Sequence, residues 1–230
     1  MSDVVVWMRR PVVVAGLAVV LVAAALVMVL GVRARGADVD RCDRFADASR
    51  ARAAVVTGSG ARVVVIGDSW SAGLGLDRTA DSWPSRLAGS VHVAGFSGSG
   101  FSAQAGSCRR VSFADRAPEA LRGGADLVVV EGGLNDVDVP DAEIRAGFER
   151  LMRALHGYDV VVVGPASAPA RAAAVPRVDG LLADLASSYG VGYVRTADLD
   201  LPYLDDRLHL TSAGHEQFGA FVAEQLADHG

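Results

Sequence analysis

The chain contains no lysine. All 22 of its basic side chains are arginine, which excludes a P-loop lysine, a Schiff-base lysine and a Ser-Lys dyad together. Asparagine is nearly as scarce and occurs once, at Asn135. The two cysteines, Cys42 and Cys108, lie too far apart for a CxxC motif and are too few for a zinc site. They read as two buried thiols or as one disulfide, the latter if the domain is exported. A net charge of −5, with no basic run beyond the N-terminal region, leaves a nucleic-acid partner no electrostatic footprint.

What is present is a chain of 230 residues, 51% hydrophobic, enough for one domain and an appendage. The appendage is "PVVVAGLAVVLVAAALVMVLGV", residues 11–32, an uncharged run that as a helix spans a hydrocarbon core of about 30 Å. A cleaved signal peptide has an apolar region of only about 7–15 residues, and the triplet Ala34-Arg35-Gly36 is a poor cleavage site. Residues 1–10 therefore read as a short tail, 11–32 as a transmembrane signal anchor, 33–57 as a stem and 58–230 as the domain. Arg33, Arg35, Arg41 and Arg44 after the span outnumber Arg9 and Arg10 before it, which by itself would keep the domain cytoplasmic. That rule weakens when a large domain follows, and the cysteine pair favours export. The expectation is a single-pass membrane protein with an extracytoplasmic domain; the alternative is a cleaved, secreted one.

Within the domain, "RVVVIG", "VHVAG", "DLVVVEGG" and "DVVVVGP" are short, continuous and β-branched, as strands buried on both faces are, and "VGYVR" is a weaker fifth. Helical patterns fall between them at about 113–122, 140–156 with Asp141 as cap, 177–189 and 211–228, while "DRFADASRARAAVV" in the stem suits a short amphipathic helix. Alternating strands and helices imply an α/β domain with a mostly parallel sheet, whose ligand crevice lies beyond the carboxyl ends of the strands.

The residues at those ends carry the chemistry. Ser69 follows the first strand in "GDSWSAGLG", entering a turn where backbone N–H groups point outward and a serine serves as nucleophile or as cap. A serine nucleophile needs a base. His92 falls in a strand, His156 at a helix end and His229 in the tail; His215, on the last helix, suits packing. His209 in "LDDRLHL" has Asp206 three residues before it, so one imidazole nitrogen has a carboxylate partner and the other is left for Ser69, with Asp205 a rival partner. Asn135 in "EGGLND" and Gly98 in "AGFSGSGFS" supply donors for an oxyanion; Gly95 and Gly100 are alternatives to Gly98.

The set Ser69, Gly98, Asn135 and Asp206-x-x-His209, in that order over about residues 61–222, resembles the SGNH hydrolases, also called the GDSL esterase/lipase family. Trp70 stands where the family's second name has leucine, and is expected to line the substrate pocket. The resemblance implies a flavodoxin-like three-layer α/β/α fold with a five-stranded sheet, and hydrolysis of a small-molecule or carbohydrate ester without metal or organic cofactor. It also implies roles: Ser69 attacks, His209 is base and then acid, Asp206 orients His209, and Ser69, Gly98 and Asn135 form the oxyanion hole. An acyltransferase and a catalytically silent binding domain are the alternatives on the same fold.

Three other readings are weak. Ser71 stands where an α/β-hydrolase elbow needs glycine. "GSGFSA" fits a loose dinucleotide fingerprint after the wrong strand. Asp206, His209 and His215 lack a further ligand for a metal.

Overall fold

Five runs of branched aliphatic residues form β1 (Arg62–Gly67), β2 (Ser90–Gly95), β3 (Leu127–Glu131), β4 (Val160–Val163) and β5 (Gly192–Val194). In the computed structural model, which describes residues 37–227 together with Val27, Met28 and Arg33, they pair in parallel in the order β2-β1-β3-β4-β5.

The helices are α1 (residues 37–53), α2 (Ser69–Ala72), α3 (Phe113–Ala120), α4 (Asp141–Ala154), α5 (Val175–Tyr189) and α6 (Ser212–Ala227). Side chains alternate along each strand, so neighbouring valines enter opposite layers. Val64, Ile66, Val128, Val130, Val160 and Val162 meet Phe113, Phe148, Leu151, Val178 and Leu182 from α3, α4 and α5. Val63, Val65, Val129, Val161 and Val163 meet Trp70, Trp83, Phe218 and Val222 on the other face. The result is the expected three-layer α/β/α domain with a five-stranded parallel sheet. Because β2 lies on one side of β1 and β3 to β5 on the other, the direction in which strands are added reverses there, which places the ligand crevice of such a sheet at the carboxyl ends of β1 and β3.

Two details differ from the sequence expectations. Asp141 is the first residue of α4 rather than its cap: Pro140 occupies the cap position, and the Asp141 carboxylate pairs with Arg177 of α5. Residues 79–86, outside the strands and helices expected above, form two 3-10 turns, Thr79–Asp81 and Trp83–Arg86, the second burying Trp83 completely.

The chain divides into two compact units, residues 1–43 and 44–230. The described part of the first is helical and largely exposed. The expected tail 1–10 lies outside the described residues, as does the span 11–32 apart from Val27 and Met28, which are helical. Among the described residues no helix is long and apolar enough to cross a membrane. In the second unit Arg52, from the expected stem, is fully buried and donates to Ser82 Oγ at 3.1 Å and to the Val55 carbonyl at 3.0 Å. Burial lowers its pKa to about 10.

His215 is buried on α6, its Nδ1 accepting from the Trp83 N–H at 3.3 Å. The proton of the neutral ring is thus on Nε2, which has no protein partner. Burial first, then the His209 charge, lower its pKa from 6.5 to about 4. The unfolded chain therefore binds the proton more readily than the folded one between those values, so this histidine costs stability as pH falls from about 6.5 to about 4. His215→Gln, which keeps an acceptor for Trp83 but cannot be protonated, should lose less urea stability than wild type over that window. The two slopes should differ by at most about 1.4 kcal/mol per pH unit. Parallel slopes in urea titrations at pH 7 and pH 4.5 would show that His215 does not carry this sensitivity.

Candidate active site

β1 ends at Gly67, and the chain turns at once into the single helical turn α2, with Asp68 as its cap. The Asp68 Oδ1 accepts from the Trp70 N–H at 2.9 Å, which holds Ser69 at the outer corner of the turn. On the far side of the crevice a loop before α6 brings His209 over. The His209 Nε2 lies 3.1 Å from Ser69 Oγ, and its Nδ1 lies 2.6 Å from Asp206 Oδ2.

The other Asp206 oxygen accepts from the Leu208 and His209 N–H groups, each at 2.9 Å. Burial alone would raise the Asp206 pKa, but these hydrogen bonds from the His209 ring and the two backbone groups outweigh it and hold the carboxyl at about 2. An ionised Asp206 accepts a hydrogen bond from Nδ1–H, so Nε2 is left as the acceptor for the Ser69 hydroxyl. Asp205, the rival partner, makes no bond to His209 among the described contacts.

Asn135 sits in a 3-10 turn (Leu134–Asp136) just past β3. Its Nδ2 donates to Asp68 Oδ2 at 3.1 Å and to the Ser99 carbonyl at 2.9 Å. The amide therefore ties the nucleophile turn to the loop after β2. Gly98 of that loop has φ 77°, a left-handed conformation that favours glycine, and a Cβ there would meet only Phe45, at 4.0 Å. Gly95 and Gly100 are buried, whereas Gly98 is partly open. Among the described residues neither the Ser69 nor the Gly98 N–H has a protein acceptor.

Trp70 is not a pocket wall. It is 2% exposed, packs edge-on against Phe218 with ring centroids 5.2 Å apart, and donates its indole N–H to the Leu208 carbonyl at 3.1 Å. A large apolar ring next to the nucleophile is turned inward because α2 lies over the core on that face. The remaining histidines do other work. His92 accepts from Arg62 on β1 at 2.6 Å, and His156 is exposed. His229 lies outside the described residues. Both cysteines, Cys42 and Cys108, are disulfide-bonded. Among the described residues no group of three His, Cys, Asp or Glu is placed to hold a metal ion.

Several residues that shape the site carried no motif. Glu131, at the end of β3, is buried; its Oε2 accepts from Ser71 Oγ at 2.6 Å, and the Trp83 indole N–H in turn donates to that Ser71 Oγ at 3.2 Å. Burial pushes its pKa up to about 7 despite the Ser71 bond. Asp68 is raised well above its ordinary value, first by burial and then by the Glu131 charge. Asp136 accepts from the Phe101 and Ser102 N–H groups at 3.0 and 2.9 Å, and burial pushes it up to about 6. Arg116 of α3 lies under the loops, its guanidinium bonded to the carbonyls of Gly67, Ala94 and Val111 and to Ser99 Oγ. An acid closing an otherwise apolar strand run, as in "LVVVE", was the available sign for Glu131.

A family model for the GDSL-like lipase/acylhydrolase family matches residues 65–217. The chain belongs to this family. Its members' chemistry, with the geometry above, makes it a carboxylic ester hydrolase of the SGNH type. Among solved structures it is similar to a carbohydrate acetylesterase from Sinorhizobium meliloti, with 20% identity over 74% of this chain and 100% of that one, at a TM-score of 0.61. It is also similar to an inhibitor-bound aryl esterase from M. smegmatis, with 20% identity over 74% and 99% of the two chains, at a TM-score of 0.60. A family two carbohydrate esterase from Clostridium thermocellum shares 15% identity over 75% of this chain and 64% of that one, at a TM-score of 0.59. At these identities the likeness is one of fold. No curated protein sequence matches the chain.

The packing behind the nucleophile gives a direct test. A Cβ on Gly67 would overlap Ser71 Oγ and come within 2.8 Å of Glu131 Oε2. Gly67→Ala in the SGNH domain should therefore destabilise it by about 1–3 kcal/mol through overpacking. An unchanged thermal midpoint would mean that the Ser71 and Glu131 contact yields freely.

Proposed function

We propose that this SGNH hydrolase is a membrane-anchored serine esterase that cleaves short-chain acyl or acetyl esters through an acyl-enzyme. The observation that supports it most is the unbroken line of contacts from Ser69 Oγ to His209 Nε2 and from His209 Nδ1 to Asp206.

In this mechanism the Ser69 hydroxyl passes its proton to His209 Nε2 as Oγ adds to the ester carbonyl. Negative charge gathers on the carbonyl oxygen. The Ser69 and Gly98 N–H groups, free of protein acceptors, receive it, and Asn135 contributes its amide by sharing one of its two resting bonds, to Asp68 or to Ser99. His209 then gives its proton to the departing alcohol oxygen, leaving the acyl group on Ser69. Water, deprotonated by the same nitrogen, adds to the acyl carbonyl; the bond to Ser69 Oγ then breaks as His209 returns the proton to Oγ, and the acid is released. Asp206, ionised down to about pH 2, stabilises the imidazolium at both steps.

Three observations favour small esters at an exposed position. Asp206 and His209 reach the surface, with side chains 48% and 17% accessible, and the domain has no obvious lid insertion. The similar structures include a carbohydrate acetylesterase and an aryl esterase. The apolar run 11–32 supports the anchor, and the disulfide-bonded state of both cysteines supports an extracytoplasmic domain.

Ser69→Ala and His209→Ala should each abolish cleavage of a short-chain chromogenic ester and labelling by a fluorophosphonate probe while leaving the fold intact; normal turnover in either would remove the triad assignment. Asn135→Ala should slow turnover by about 10²- to 10³-fold. A panel graded by acyl length and including acetylated sugars should peak at two to four carbons, by about tenfold or more over long chains. For the anchor, the full chain should sediment with membranes and a chain lacking residues 1–36 should not; equal partition of both would rule the anchor out.

A further inference from the structure

The base and its carboxylate partner sit on a loop whose ends, Leu201 and Leu210, are buried in the core while its tip, residues 205–207, is exposed. Asp206 is about half exposed, and most of the loop's hydrogen bonds are its own. Leu204 N–H donates to the His209 carbonyl at 2.7 Å, Arg207 N–H to the Leu204 carbonyl at 2.8 Å, and Tyr203 bridges to Leu210. Arg207 has φ 58°, in the left-handed region that a non-glycine residue enters at a cost. The loop is thus shaped internally, yet Ser69 and His209, separated by 140 residues in sequence, must meet at 3.1 Å.

One bond crosses directly from the nucleophile's neighbour to the base's neighbour. Trp70, the residue after Ser69, donates its indole N–H to the carbonyl of Leu208, the residue before His209, at 3.1 Å. The ring is held at 2% exposure by Phe218 at 88° and Tyr203 at a centroid distance of 6.1 Å. The donor is therefore fixed in the core while the acceptor lies between the half-exposed Asp206 and His209. A leucine, the residue in the family's second name, has no N–H to give. We infer that Trp70 is a positioning residue whose indole N–H sets the Ser69–His209 distance by holding the base loop onto the nucleophile turn. The inference rests on the esterase reading of that site.

Loss of the bond leaves the ester-binding surface in place but lets the base drift from Ser69, so the loss falls on kcat rather than KM. The test uses the full chain in detergent, assayed on a short-chain chromogenic ester beside Ser69→Ala. Trp70→Phe removes the N–H and part of the ring; 3-benzothienylalanine in place of Trp70 removes the N–H alone and keeps the bicyclic shape. Both proteins should show kcat lowered about tenfold, the scale of one lost hydrogen bond, with KM within twofold of wild type and fluorophosphonate labelling slowed in proportion. If the benzothienylalanine protein turns over like wild type, whatever becomes of Trp70→Phe, Trp70 serves packing only and the inference is overturned. If wild type itself neither cleaves the ester nor labels at Ser69, it is the esterase reading that fails, and the inference falls with it.

Discussion

Two carboxylates, Asp68 and Glu131, are buried on either side of one strand-to-helix turn, and the turn keeps its shape because it supplies the donors that they need. Asp68 receives the Trp70 N–H and the Asn135 amide; Glu131 receives the Ser71 hydroxyl, which the Trp83 indole N–H steadies from its other side. A buried acid without such donors would cost several kcal/mol, so any distortion that moves Ser69 outward also strips a carboxylate of its partners. The nucleophile is thus held by its neighbours' demand for hydrogen bonds and needs no contacts of its own. That leaves the Ser69 N–H and hydroxyl available for chemistry.

The same logic extends outward. Asp136, next to Asn135, takes two N–H groups from the loop after β2, and Arg116 binds that loop and the end of β1 from below. Three loops from three parallel strands are in this way joined at the carboxyl end of the sheet by polar side chains in a dry environment. Such bonds are short-ranged and directional, and they place donors more sharply than apolar packing does. Arg116 has its own pKa lowered to about 10 by burial, opposed by the Asp68 and Asp115 charges, so its cation answers the acids around it.

The Ser69 and Asn135 side of the site is tied down by buried polar bonds, while Asp206 and His209 sit on a loop whose tip is exposed. In the proposed mechanism this division suits acyl transfer: the donors that meet developing charge are held still, and His209, base and acid in turn, has access to alcohol and water. Trp70 spans the two sides, which is why its inward placement bears on mechanism more than a pocket wall would.

By itself the sequence determined the layered α/β architecture, because continuous β-branched runs alternating with amphipathic segments can be buried only as a parallel sheet between helices. It also singled out Ser69, Asn135, Asp206 and His209 as candidates, since the signals for them are local: a residue type at a strand end, or an acid three positions from a histidine. The tertiary structure alone decided what depends on partners distant in sequence. Glu131 gave no sign of the hydroxyl it would meet, Arg116 carried no motif, and Trp70 beside a candidate nucleophile pointed to a pocket. Each was settled by what the fold brought opposite it: Ser71 across the β1–β3 pair, the carbonyls of two loops, and the Leu208 carbonyl 138 residues away. Periodicity and motif spacing report what a residue is and where its element lies, but burial and hydrogen-bond geometry depend on the whole folded chain, and those set what each side chain does.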